Sequence, residues 1–199
     1  MLESIIAFLV MLNPFALFLY LKPIMEELNN KKFLSVFFKA SLISYAIFVI
    51  FMAGSDFLFQ KVFQISFEAF RIFGGIVIFS FAYHFIAKGE QAFVQMKEDL
   101  DDLASEIALP FMVGAGTISL SALMGYKQTF TEGLLTLFII LSLNFIIVVG
   151  LKTFKDNIKY NRVKIAFDKN MEIMLRLAGF FLGAIGINMI VSGIKAFFF

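Results

Sequence analysis

The sequence has no cysteine, no tryptophan, three prolines and a single histidine. The missing thiols exclude disulfides, thiolate metal sites and cysteine nucleophiles. One histidine, His84, excludes a multi-histidine metal centre. Charge is also scarce: Asp, Glu, Lys and Arg make up 16% of 199 residues, with a net charge of +2. That balance does not suit a nucleic-acid partner, and no basic stripe alternates with aromatics. No Lys or Arg precedes the first apolar run, and no small-residue cleavage site follows it. The run is therefore expected to be a permanent part of the fold rather than a signal peptide. No H-E-x-x-H, G-x-S-x-G or Walker loop occurs, so an enzyme is the least expected class, and any transport would be secondary or passive.

What fills the chain is apolar. Hydrophobic residues make up 60%, Phe alone contributes 29, and the mean hydropathy is +0.89. Soluble domains hold roughly 45–50% apolar and about 25% charged residues. The composition implies an all-α integral membrane protein. Six apolar runs fall near residues 4–22, 34–54, 65–87, 107–126, 130–151 and 173–198. Each holds ~19–26 residues, enough as a helix to cross a hydrocarbon core of ~30 Å. The alternating ~10-residue segments of a membrane β-barrel are absent. Six transmembrane helices are expected.

Lys and Arg divide unevenly between the loops. One set holds Lys22, Lys31, Lys32, Lys88 and Lys97 together with six more between Lys152 and Lys169; the other holds Lys61, Lys127 and Lys195. The richer set is expected in the cytoplasm, which puts both termini outside the cell membrane. The acidic segment 88–106 (Glu90, Glu98, Asp99, Asp101, Asp102, Glu106) reads as a cytoplasmic linker between units 1–87 and 107–199. An internal repeat supports the division. Phe70-Arg71-Ile72-Phe73-Gly74 in the third run resembles Leu175-Arg176-Leu177-Ala178-Gly179 in the sixth. Three spans per unit is an odd number, so the second unit would be inverted relative to the first, a transporter design with its site near mid-membrane.

Both units begin with an interrupted span. Asn13-Pro14 falls ten residues into the first run, and proline removes a backbone donor. The freed carbonyls must find partners in lipid, whether from a substrate or, at a simple kink, from neighbouring helices. The fourth run carries Pro110 and then Gly114-Ala115-Gly116-Thr117-Ile118-Ser119. A half-helix beginning there would aim its positive end at an anion such as a carboxylate. Taken alone, its glycines read first as close packing; paired with the first break, they read as a site. Unbroken helical hydrogen bonding through 11–16 and 112–118 would count against it.

Other polar residues stand out in apolar surroundings. Glu68 and Arg71, and Glu172 and Arg176, share helix faces and suit ion pairs at the membrane edges that latch one state of the protein. Asn188, mid-span beyond the small-residue face Gly179, Gly183, Gly186, ranks first among the polar residues for substrate contact; Ser142, Asn144 and Ser192 must also hydrogen-bond across helices or to ligand. Lys39 is expected to snorkel to the cytoplasmic edge. His84 suits the interface better than a proton relay.

These residues resemble the MarC/SnatA family over nearly the whole chain. The resemblance rests on Leu12-Asn13-Pro14, Phe70-Arg71-Ile72-Phe73-Gly74-Gly75-Ile76, Ala108-Leu109-Pro110-Phe111 with Gly114 to Ser119, and Arg176-Leu177-Ala178-Gly179 through Ser192-Gly193-Ile194. It implies six spans, an inverted three-plus-three repeat and, as in characterised members, transport of small neutral amino acids such as glycine and alanine. The site carried over is Asn13, Pro14, Gly114, Gly116 and Thr117. The chain departs from the pattern at Ala16, where the family has Gly, and at Ala115, where it has Pro.

The expected function is secondary transport of a small neutral amino acid between lipid-embedded halves. The substrate would contact Asn13, Pro14, Gly114, Ala115, Gly116, Thr117 and Asn188. No cofactor or metal is expected; the coupling ion is either a proton or Na⁺. The alternatives are a non-transporting membrane scaffold or regulatory protein and a passive small-solute pore. The small-residue faces suit packing within a monomer or in a homo-oligomer equally.

Overall fold

A computed structural model of the chain describes residues 2–54, 57, 61, 64, 66–88, 107, 108 and 112–198. Among these the regular structure is helical: α1 (Leu2–Leu12), α2 (Pro14–Tyr20), α3 (Lys22–Glu27), α4 (Asn30–Ala53), α5 (Phe67–Lys88), α6 (Ala115–Lys127), α7 (Phe130–Asn157) and α8 (Asn161–Phe198). The expected linker 88–106 lies, apart from Lys88, outside the described residues, as does Pro110.

Among the described residues, five stretches are long and apolar enough to cross a membrane: Leu2–Tyr20 taken across its break, Asn30–Ala53, Glu68–Ala87, Phe130–Asn157 and Asn161–Phe198. The fourth expected run is described only as Ile107, Ala108 and residues 112–114 with α6, whose 13 residues span about 20 Å, less than a hydrocarbon core. The last helix begins well before its apolar run. Its 38 residues make it about 57 Å long, so the charged first turns extend past any bilayer. Those turns are held by side chains. Phe167 lies edge-on to Phe18 and against Phe154, and Asp168 takes Lys22 at 3.0 Å and Lys155 at 3.1 Å.

Helices α4 and α7 are capped alike. Asn29 accepts from the Lys32 N–H ahead of α4, and Thr129 forms a capping box with Glu132 ahead of α7. Their burial also matches. Phe33, Phe37, Ala40, Ser41, Ser44, Phe48 and Met52 are the buried positions of α4; Gly133, Leu137, Ile140, Leu141, Asn144, Val148 and Lys152 are buried in α7 at the same places one hundred residues on, and α7 adds Thr136, where α4 has the partly buried Val36.

Packing crosses between the two parts of the chain. Helices α1 and α2 lie on α7 and α8, whereas α6 lies on α4 and α5. The most extensive contact runs antiparallel along α5 and α8. There the backbones approach so closely that a Cβ on Gly75 would sit 2.6 Å from the Gly186 carbonyl, and one on Gly186 2.8 Å from the Gly75 carbonyl. The face Gly179, Gly183, Gly186 is thus a packing face, with Gly179 against Ala82, Phe85 and Ile86 and Gly183 against Ala82. Chain ends sort by side. Gln128 donates to Ser4 at 3.0 Å at one end of the bundle, and Lys22, Lys152 and Lys155 gather with Asn30, Asp156 and Asp168 at the other.

Candidate functional site

The first span breaks at Asn13. Its φ of 45° is left-handed, a conformation Asn tolerates better than most side chains, and Pro14 follows as the first residue of α2. The helical ladder closes from Asn13 N–H to the Leu9 carbonyl and resumes from Leu17 N–H to the Asn13 carbonyl, both at 2.9 Å. Between them it fails. Pro14 supplies no N–H to Val10, and the Ala16 N–H turns to Asn13 Oδ1 at 3.2 Å rather than to Leu12. The cap uses the oxygen of the Asn13 amide alone. Its Nδ2 is buried without a hydrogen-bond partner in a residue only 2% exposed.

The second break is at Gly114, extended at φ −111° and ψ 170° before α6. Here a threonine does the work of a cap from inside the helix. Thr117 Oγ1 accepts from the Gly114 N–H at 2.9 Å and donates to the carbonyl of Met112 or of Gly114, each 3.0 Å away. Ahead of it the Val113 N–H reaches the Ala108 carbonyl in a wide turn. A Gly cap offers no side-chain acceptor, so the first-turn N–H groups of Ala115, Gly116 and Thr117 have no cap to satisfy them. They carry the positive end of the α6 dipole.

One cavity joins the two breaks. It has a volume of about 70 Å³, roughly five times what one water needs. Asn13, Gly114, Gly116 and Thr117 form its polar part, with Met11 and Leu12 from the end of α1 and Met112 beside the second break. Ile78 and Phe85 of α5 and Leu182 of α8 supply an apolar wall. The two glycines differ. A Cβ on Gly116 would fall 1.8 Å from Met11 Cε and 2.6 Å from Ile78 Cγ1, whereas one on Gly114 would meet nothing within 4 Å.

The expected residues thus divide. Asn13, Gly114, Gly116 and Thr117 meet at the cavity, and Pro14 is buried beside it as the cause of the break. The Ala115 side chain is outside the described residues. Asn188 is exposed on α8, away from the cavity. Glu172 pairs with Arg176 at 2.9 Å, and Arg176 also donates to the Ile86 carbonyl at 3.3 Å. Among the described residues no such pair joins Glu68 to Arg71, whose Nε is buried without a partner. His84 is exposed and bonded to the Ser80 carbonyl at 2.8 Å. Sequence reasoning missed Tyr20, Ile78, Phe85 and Leu182 as cavity residues. A helical wheel carries part of that signal: Asn13, Ala16 and Tyr20 fall at i, i+3 and i+7, and so do Ile78 and Phe85 at i and i+7.

The comparisons with known proteins agree with the architecture. The chain is 26% identical over 204 residues to a UPF0056 membrane protein of Aquifex aeolicus, covering 97% of this chain and 91% of that one. It is 27% identical over 173 residues to the UPF0056 membrane protein YvbG of Bacillus subtilis (80% and 77% covered). With YhcE of Escherichia coli it shares 28% over 145 residues (69% and 66% covered). No solved structure matches the chain. The model of the MarC family of integral membrane proteins matches residues 1–198. With its apolar helices and their two breaks, this chain belongs to the MarC family, as a multi-pass integral membrane protein.

Proposed function

We propose that the protein is a secondary transporter of small neutral amino acids, of the glycine and alanine type, working by alternating access at the cavity between the two breaks. The observation that carries this reading is the meeting, at one cavity, of an α1 end with spare carbonyls and an α6 start with spare N–H groups. A zwitterion needs both. The first turn of α6 would take the carboxylate, as anions are held at helix N-termini. The end of α1, with its negative dipole and its Val10 and Leu12 carbonyls, would take the ammonium. Thr117 keeps its hydroxyl on the backbone and holds the break open rather than binding. The unpaired Asn13 Nδ2 would reach the carboxylate or a bound water. The small volume and the crowding at Gly116 favour a small side chain.

The reading includes six spans in an inverted three-plus-three repeat with both termini outside. It is supported by the matched burial of α4 and α7, by the exchange of partners between α1–α2 and α6, and by the gathering of lysines at one end of the bundle. Because each broken span packs on helices of the other half, the moving bodies would be mixed rather than residues 1–87 against 107–199.

The test is uptake and counterflow of labelled glycine and alanine in liposomes holding the purified protein, with a proton or a Na⁺ gradient imposed. Saturable uptake is expected under one of them. No saturable uptake under either, from protein that remains folded, removes the transporter reading.

A further inference from the structure

One exposed polar residue of the spanning region, Asn188, has no part in the cavity. Asn188 is exposed on α8, ten residues or about 15 Å from Phe198, and so lies at the depth of the hydrocarbon. Its amide offers two donors and an acceptor, and among the described residues none of them has a partner within the chain. Water is not available to it there. An Asn of this kind on a lipid-facing surface is expensive unless another helix satisfies it.

The residues around it form a seam. Leu177, Phe181, Ala184, Asn188 and Val191 are all exposed, and they step along α8 by four, three, four and three. The next step of four reaches Lys195, near the helix end. This is the heptad spacing of two helices that wind about each other, in which one polar Asn at a seam position fixes register. Ala184, one turn from Asn188, is small enough for close approach of two backbones. The face turned to α5 is the opposite one, carrying Gly179, Gly183 and Gly186, so the seam is free while the monomer is intact.

We propose that α8 is a homodimer interface in which Asn188 hydrogen-bonds to Asn188 of a second copy. The amide itself selects the occupant. It is both donor and acceptor, so it is complementary to a copy of itself. Two copies inserted the same way are related by a two-fold axis along the membrane normal, which runs the two α8 helices parallel and brings the two Asn188 residues to one depth. The proposal is independent of what the cavity binds.

The chain has no cysteine, which makes the test direct. Ala184→Cys and Val191→Cys in liposomes are expected to form disulfide-linked dimers on mild oxidation. Phe138→Cys, exposed at 62% on α7, is expected to remain monomeric. Subunit counting in dilute vesicles is expected to show about tenfold weaker association for Asn188→Leu, with Asn188→Gln close to wild type. Asn188→Leu changes only an exposed position, so its melting in the monomeric state should be unchanged. Three results would each overturn the proposal: seam cysteines that crosslink no more than Phe138→Cys, a wild-type protein that counts as monomer at every dilution, or Asn188→Leu dimerising like wild type.

Discussion

The two breaks in the bundle do the same thing with opposite chemistry. At the first, a proline takes an N–H away and an asparagine side chain repairs part of the loss from outside the helix. At the second, a glycine offers no repair, and a threonine three residues into α6 reaches back instead. The first therefore leaves carbonyls over and the second leaves N–H groups over. Each break falls 15 or 16 residues before the cap of the next long helix: Asn13 before Asn29 of α4, and Gly114 before Thr129 of α7. Equal placement with unlike donors and acceptors is what binding one end of a zwitterion at each break would require. A simple pair of kinks would need no such contrast.

The sharpest way to break the comparison is at Gly116, where the two breaks touch. A side chain there meets Met11 of α1 and Ile78 of α5. Gly116→Leu is expected to fill the cavity, abolish saturable uptake, and cost about 1–3 kcal/mol of stability through overpacking. The measurements are liposome uptake and thermal unfolding. Normal uptake by a folded Gly116→Leu protein would mean that substrate passes elsewhere.

How far the chain's own letters led can be judged from its asparagines. The break at Asn13 was legible, because proline after asparagine in an apolar run has few other uses. So was the break at Gly114 to Thr117 that faces it across the cavity; the close approach of Gly116 to Met11 was not, since it depends on how α1, α5 and α6 pack. Asn188 ranked ahead of Asn144 because it followed a run of glycines. Two residues after Gly186 is 200° around a helix, so the glycine face turned to α5 carries Asn188 outward. Asn144, in contrast, is fully buried, with neither amide atom partnered. Apolar runs show where helices lie; they do not show which side of each faces a neighbour. The extra turns at the start of α8 were hidden for the same reason, since Phe167 and Asp168 are held by Phe18 and Lys22, far away in sequence, as well as by the nearer Lys155.

A smaller effect separates the shape of the first break from its chemistry. Asn13 sits at positive φ, where Gly costs nothing and Ala costs about 1–2 kcal/mol. Asn13→Gly keeps the turn and removes the amide; Asn13→Ala removes the amide and strains the turn as well. Both are expected to lower glycine uptake about tenfold, and only Asn13→Ala is expected to melt markedly earlier. Equal uptake by Asn13→Gly and wild type would leave the backbone alone as the binding element at this break.

The smallest effect is expected at Gly114, and it bears most closely on specificity. Its φ of −111° is open to any residue, and a Cβ would meet nothing within 4 Å. The glycine is therefore not required by the fold at this position. Gly114→Ala should fold as well as wild type, within about 0.5 kcal/mol. The added methyl projects from a residue that lines the cavity, and it removes room from a space of about 70 Å³. A ligand that already carries a methyl should lose more than one that does not. One methylene in a tight apolar space is worth about 1–3 kcal/mol, so even partial relief leaves a few-fold change. KM for alanine is expected to rise several-fold while KM for glycine changes less, read from concentration series in the same liposomes. Equal shifts for both amino acids would place the substrate side chain away from Gly114, toward the wall of Ile78, Phe85 and Leu182.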